Sequence, residues 1–241
     1  MNEGPIVEMQ GVTRVYRQGD IEVHALRGVD LQIFPGEFTA ICGPSGSGKT
    51  TALNLIGALD QPTAGKVFID GCDITTMGRR ARSHLRRDRI GFVFQAYNLI
   101  PVLTAYENAE AVLALQGRGK AKRGDVMKVL ADVGLAGMED RRPHEMSGGQ
   151  QQRVAIARAI AAEPAVVLAD EPTANVDSAT AETLLDLMGE LNTERGVTFV
   201  FSTHDPRVMA HARRIVTLVD GRIEKDESKT KDDVRLKDVR R

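Results

Sequence analysis

The sequence predicts an α/β fold with a parallel-sheet core, a β-rich N-terminal portion and an inserted helical lobe. Three observations carry this expectation. Phe38-Thr-Ala-Ile-Cys42, a short apolar run, leads straight into Gly43-Pro-Ser-Gly-Ser-Gly-Lys-Thr50, after which Thr51-Ala-Leu-Asn-Leu-Ile-Gly57 continues as a helix. Ile90-Gly-Phe-Val-Phe94, Ala165-Val-Val-Leu-Ala169 and Val197-Thr-Phe-Val-Phe201 are further apolar runs, each stopping at a polar residue, as strands covered on both faces do. From Thr104 to about Met146 the pattern turns helical and strand signals disappear.

Ahead of the glycine-rich stretch, residues 6–16 alternate loosely as a strand, 17–20 carry turn chemistry, and 21–34 read as one or two more strands. Tyr16 ends the first of these, either as a surface and packing residue or as a platform for an adenine ring. The stretch itself fits the phosphate-binding pattern G-x-x-x-x-G-K-[ST] at every fixed position. Glycines let the backbone curl so that successive N–H groups converge on an anion, and the following helix adds its positive end. Lys49 then reaches the β- and γ-phosphates, and the Thr50 hydroxyl binds Mg2+. Gly43, Pro44, Ser45, Gly46, Ser47, Gly48, Lys49, Thr50 and Thr51 are therefore the candidate phosphate-binding set, and ATP with Mg2+ the expected ligand.

Composition narrows the function classes. A length of 241 residues suits one α/β domain with a lobe attached. A net charge of -1 gives no basic field toward DNA or anionic lipid, and 4% aromatic residues without Trp argue against stacked-base recognition of single strands. Cys42 and Cys72 make no metal spacing and read as free thiols. No secretory signal and no apolar run of about 18 residues is present, so a membrane role would come through a partner chain.

Further along, residues 79–89 carry six arginines and read as a solvated helix face rather than a nucleic-acid patch. Gln95 closes the run after Ile90, where it either caps a strand or meets a ligand at a sheet's carboxyl end. Two amphipathic helices follow, one with Ala105, Ala109, Val112, Leu113 and Leu115 on its apolar face, the other with Val126, Val129, Leu130 and Val133. Ser147-Gly-Gly-Gln150 fits a capping box ahead of a long helix. Yet two glycines in that first turn cost about 1 kcal/mol each relative to Ala, which makes sense if an anion approaches the exposed N–H groups. Asp170 and Glu171 end the next strand; beside a phosphate loop the first is placed to hold Mg2+ and the second to polarise water. Asp177-Ser178 opens another helix, and His204, following the last of the apolar runs, is either a structural hydrogen-bonding group or a γ-phosphate contact. A final strand over 215–219 turns at Asp220-Gly221, and a charged, flexible tail is expected over 225–241.

The phosphate loop, Gln95, Ser147-Gly-Gly-Gln150, Asp170-Glu171 and His204, in this order, resemble the nucleotide-binding subunit of an ABC transporter over residues 6–224. Met146 through Arg158 looks like that family's signature, with Met146 where Leu is usual, and Ala174-Asn-Val-Asp177 looks like its D-loop, with Val176 for the commoner Leu. The resemblance implies a P-loop NTPase with a RecA-like parallel-sheet core, an N-terminal antiparallel β subdomain and a helical lobe inserted at about 100–160, together forming one ATPase domain over 1–224. It also implies roles. Tyr16 stacks on adenine; Gln95 touches metal and water; Lys49, Glu171 as base and His204 as switch carry catalysis; Thr50, Gln95 and Asp170 hold the metal. Ser147, Gly148, Gly149 and Gln150 of one subunit close over ATP held by the other in a head-to-tail homodimer, with Asp177 at the join.

Tyr16-Arg-Gln-Gly-Asp20, Ile90 through Leu99 and Leu103-Thr-Ala-Tyr-Glu-Asn108 are most similar to the ATPases of lipoprotein-releasing and macrolide-exporting systems. That likeness implies transmembrane permease subunits with large extracytoplasmic domains, a periplasmic or outer-membrane partner reached through them, and residence on the cytoplasmic face of the inner membrane. Residues 96–108 would border the groove that receives the permease. A soluble ABC-type ATPase acting on nucleic acid is the competing reading. The chain lacks that class's long coiled-coil insertion, tandem second ATPase domain and basic surplus. An ATPase of another ABC importer or exporter class is a further alternative.

Overall fold

The computed structural model describes residues 4–118 and 123–229. The chain divides into two compact units, one formed by residues up to 77 with those from 198 onward, the other by residues 78–197.

The first unit contains an antiparallel sheet and part of a parallel one. β1 (Val7–Gln18) and β2 (Ile21–Ile33) form a long hairpin whose turn is Gly19-Asp20, so residues 21–33 make one strand. Leu26, Val29, Leu31 and Ile33 of β2 are buried. β4 (Ala64–Ile69) pairs with the other edge of β1, and β5 (Cys72–Asp73) with β4, giving the order β2-β1-β4-β5. β3 (Phe38–Cys42), buried at every position, runs parallel to β8 (Phe199–Ser202) on one side and β9 (Arg214–Val219) on the other. Phe38 lies between Phe199 and Phe201, with ring centroids 5.6 and 4.7 Å away. Aromatic contact of this kind, with the apolar area it removes from water, binds the two strands laterally. Two helices belong here: α1 (Lys49–Ile56) and the short α7 (Pro206–His211), which Asp205 caps through the Arg207 amide and which Pro206 opens. α7 was not expected from the sequence.

One expectation needs correcting. The charged tail was to begin at residue 225, but β10 (Arg222–Ser228) continues as a strand antiparallel to β9. The reason is local. Asp220 and Gly221 have φ of 47° and 76°, a turn whose twist suits a hairpin, and Asp226 forks onto Arg214 at 2.6 and 2.7 Å. The tail from residue 230 lies outside the described residues.

The second unit holds α2 (Arg79–Arg89), β6 (Ile90–Phe94), α3 (Ala105–Leu115), α4 (Arg123–Asp132), a single 3-10 turn at Pro143–Glu145, α5 (Gly148–Ile160), β7 (Val166–Asp170) and α6 (Ser178–Arg195). β6 and β7 are parallel, with Phe94 beside Asp170. The arginine-rich stretch is indeed a helix, with Leu85 as its buried residue. Ala105, Ala109 and Leu113 of α3 and Val126, Val129 and Leu130 of α4 are buried as the periodicity predicts, but Leu115, at the end of its helix, is exposed. Thr104 and Glu107 form a capping box at the start of α3. Asn108, fully buried, donates to the carbonyls of Ile100, Leu103 and Thr104 and accepts from the Ile100 amide at 2.8 Å, which fixes the irregular segment before the helix. Among the described residues no helix is long and apolar enough to cross a membrane.

Arg214 ties the parallel strands of the first unit to their surroundings. Its guanidinium donates to Glu37 at 2.9 Å, to the Gln32 carbonyl at 2.7 Å and to Asp226. Asp226 first, and Glu37 after it, push its ionisation further above the already high guanidinium value. Arg214→Met is expected to lower stability by about 1–3 kcal/mol, because two carboxylates and a carbonyl lose their donor in a partly desolvated place. Urea unfolding followed by circular dichroism measures it.

Candidate nucleotide site

In the first unit the phosphate loop is shaped from outside. Gly43 has φ 144°, and a Cβ there would lie 2.0 Å from the Leu218 carbonyl of β9; at Gly48, φ 102°, it would lie 2.4 Å from the Ala25 carbonyl of β2. Only glycine fits either place, so neighbouring strands impose the curl. The turn between β9 and β10 adds a direct tie: the Gly221 amide donates to the Ser47 carbonyl at 3.1 Å, and the Gly221 carbonyl accepts from Arg27 at 2.8 Å. α1 then starts at Lys49 with Gly48 as its N-cap and no side chain capping its first amides. Lys49 is 9% exposed and arches back over the loop, donating to the carbonyls of Gly43 and Pro44 at 2.8 and 2.9 Å. Ser47 Oγ is buried and makes no hydrogen bond within the chain. First-turn amides without a side-chain cap, an ammonium held only by loop carbonyls and an orphaned buried hydroxyl form a cluster of donors, and this cluster fits a polyphosphate.

His204 leaves β8 at the same end of the sheet: Ile41 of β3 pairs with Ser202, and the Thr203 amide donates to the Ile41 carbonyl. The imidazole is exposed. Tyr16 stands near the end of β1, 36% exposed. Its hydroxyl donates to Asp60 Oδ2 at 2.9 Å, and the Arg14 guanidinium carbon lies 4.4 Å from its ring centroid.

In the second unit, register brings Gln95 and Glu171 out of neighbouring strand ends, one step beyond the Phe94 and Asp170 pair. Gln95 is exposed and the two acids are half-buried. Glu171 has φ 46°, left-handed backbone that a non-glycine residue adopts at a cost and that gathers at functional turns. Tyr97 and Asn98, at 56° and 50°, turn the chain after Gln95 in the same way. That strained turn is held from α5: Arg158 donates to the carbonyls of Asn98 and Tyr97, the latter at 2.8 Å. Asn175 Nδ2 donates to the Gln95 carbonyl at 2.9 Å, and the Tyr97 hydroxyl donates to the Asn175 carbonyl at 3.0 Å. Gln152, fully buried, donates to the Pro172 carbonyl at 2.6 Å. The segments leaving β6 and β7 are thus fastened to each other and to one helix.

The start of α5 is the capping box that the sequence predicts: the Ser147 amide donates to Gln150 Oε1 at 2.9 Å, and the Gln150 amide to Ser147 Oγ at 3.3 Å. The glycines have a packing reason that the sequence did not reveal. A Cβ at Gly148 would lie 2.9 Å from the Tyr97 hydroxyl, and one at Gly149 would lie 2.5 Å from Thr180 Cγ2. Asp177 caps α6 through the Thr180 amide at 3.0 Å and hydroxyl at 2.6 Å. The Thr180 hydroxyl first, then its amide, hold the Asp177 carboxyl below the ordinary carboxylate range. A lowered folded value means that the ionised cap contributes fully above the unfolded value and is lost only as pH falls through the folded one.

Sequence reasoning missed Arg14, Asp60, Tyr97, Arg158 and Asn175. The available signal for Arg158 was a single cation within the otherwise apolar Val154-Ala-Ile-Ala-Arg-Ala-Ile160. Burial pushes its ionisation down, so it is held by the two carbonyls rather than by water. Arg158→Leu is expected to cost about 1–3 kcal/mol, since two strained-turn carbonyls lose a charged donor. Amide hydrogen exchange should quicken most at residues 95–98, and unchanged exchange there would show that the turn holds itself.

A protein-family model described as ABC transporter matches residues 26–174. The lipoprotein-releasing system ATP-binding protein LolD of Anaeromyxobacter dehalogenans is 48% identical over 224 residues, 92% of this chain and 94% of its own length. An uncharacterized ABC transporter ATP-binding protein of Methanocaldococcus jannaschii, MJ0796, is 46% identical over 227 residues, 92% of this chain and 97% of its own. The macrolide export ATP-binding/permease protein MacB of Syntrophobacter fumaroxidans is 46% identical over 222 residues, 91% of this chain, but the match spans only 31% of that longer protein. A solved dimer of the cassette MJ0796 in a post-hydrolysis state, bound to ADP and Pi, superposes with a TM-score of 0.84 at 44% identity, covering 93% of this chain and 99% of that one.

Proposed function

The chain belongs to the ABC transporter family and is an ATP-binding, ATP-hydrolysing subunit, and from there we propose that it drives a permease of the lipoprotein-release or macrolide-export kind. The observation that carries the catalytic reading is the phosphate loop, whose uncapped helix start, arched Lys49 and orphaned Ser47 hydroxyl offer donors suited to a triphosphate. Lys49 exchanges its two loop carbonyls for β- and γ-phosphate oxygens, and the loop and α1 amides take the remaining charge. Mg2+, when bound, neutralises charge on the β- and γ-phosphates; Thr50, Gln95 and Asp170 would hold it. Glu171 orients the attacking water and accepts its proton, its strained backbone fixing the carboxylate's direction. His204 contacts the γ-phosphate, and Tyr16 supports the adenine.

The assembly follows from α5. Its capped, glycine-lined start, Ser147 to Gln150, approaches ATP bound to a second copy, with Asp177 at the join, so that two chains enclose two ATP head to tail. The dimeric relative bound to ADP and Pi supports this arrangement. Permease subunits with large extracytoplasmic domains would dock beside residues 96–108, where Ile100 and Val102 are exposed, and place the chain on the cytoplasmic face of the membrane. A periplasmic or outer-membrane partner would be reached only through them. The names of the LolD and MacB relatives support this class. The near-neutral charge offers nothing to a nucleic-acid partner.

Glu171→Gln is expected to lower turnover roughly 100-fold or more while leaving ATP binding intact. Light scattering should then show an ATP-dependent dimer; a monomer turning over at the unaltered rate would remove Glu171 from its role. Separately, affinity capture from gently solubilised host membranes should recover a permease with few transmembrane helices and a large extracytoplasmic domain. A many-helix permease without such a domain would overturn the subfamily.

A further inference from the structure

Tyr16 is more constrained than an aromatic residue at a strand end needs to be. Its phenol oxygen donates to Asp60 Oδ2 at 2.9 Å, and the same carboxylate oxygen accepts Arg14 Nε at 2.8 Å. The Arg14 guanidinium also lies over the Tyr16 ring. One carboxylate therefore fixes the tip of the ring and the cation that covers one of its faces. Asp60 is itself fixed: its other oxygen accepts the Gln61 amide at 2.8 Å, and its own amide donates to the Asn54 carbonyl at the end of α1. Arg14 and Asp60 have side chains 23% and 26% exposed, while Tyr16 as a residue is 36% exposed.

A half-exposed tyrosine normally samples several rotamers, and a ligand stacking on it must immobilise it. Here the hydrogen bond and the cation–π contact already have, and Tyr16 nevertheless stays exposed enough to meet a planar partner. α1 joins the two ends of the ligand site: it starts at the phosphate loop, and the segment leaving it carries Asp60. Resting on the reading of Tyr16 as the adenine platform, we infer that Arg14 and Asp60 are positioning residues that hold Tyr16 ready to stack, raising affinity for the nucleoside without touching it. Because every base presents a π-face, the device favours nucleotides over bare polyphosphate and is indifferent to the base.

Calorimetry with Mg2+ and either ADP, GDP or pyrophosphate tests this without turnover. Tyr16→Ala should weaken ADP and GDP roughly five- to a hundredfold and leave pyrophosphate unchanged. Arg14→Ala, Asp60→Ala and Tyr16→Phe, the last removing only the hydroxyl, should each weaken both nucleotides about two- to tenfold, again without affecting pyrophosphate. Adding Arg14→Ala to Tyr16→Ala should change nothing further, the signature of one residue acting through another. If Tyr16→Ala weakens ADP while the Arg14, Asp60 and Tyr16→Phe variants bind like the parent, the positioning role is overturned and the platform reading survives. Equal losses for ADP and pyrophosphate would overturn it too, by exposing a merely structural contribution. No loss on Tyr16→Ala would remove the platform reading and this inference with it.

Discussion

The backbone of residues 43–48 takes its curled shape because two strands press on it. The β9 carbonyl of Leu218 occupies the space that a side chain at Gly43 would need, and the β2 carbonyl of Ala25 does the same at Gly48. Neither contact stabilises much alone. Together they exclude the ordinary conformations and leave one in which amides turn outward and Lys49 folds across the top. The antiparallel sheet, the parallel strands and α1 are thus the mould of a small anion receptor, and their packing sets its precision.

The second unit works differently. Its candidate site residues sit on short irregular segments after β6 and β7, with left-handed residues at Tyr97, Asn98 and Glu171. Strain of that kind persists only where the surroundings over-determine it. Arg158, Asn175 and Tyr97 do so with hydrogen bonds that run from side chain to backbone carbonyl. Side-chain-to-backbone bonding fixes the path of a loop while leaving most of its own side chains unused, which suits segments whose carboxylate and amide groups are proposed to do the chemistry.

Much of the fold was legible because its signals are local. Buried strands show as short apolar runs, the phosphate loop as a pattern with a mechanism, and the starts of α5 and α6 as capping residues. What was hidden depends on distant neighbours. Gly148 and Gly149 also have a packing reason that the sequence does not reveal, since Tyr97 and Thr180 lie against them. β10 was lost among its charges, since Asp226 reads as solvated until Arg214 is seen beside it. Arg14 and Asp60 are ordinary surface residues by every one-dimensional criterion. Their meaning appears only when β1 and the end of α1 come together around Tyr16.

The tie between Gly221 and the Ser47 carbonyl has a consequence for synthesis. A ribosome delivers the phosphate loop about 170 residues before the β9–β10 turn, so the receptor's last wall arrives long after its floor. Strand β9, whose Leu218 carbonyl shapes Gly43, comes equally late. Until both have emerged, the loop lacks the contacts that force its curl, and a nascent chain should hold nucleotide poorly. Competence to bind is then acquired only once β9 and the turn after it have closed against the loop.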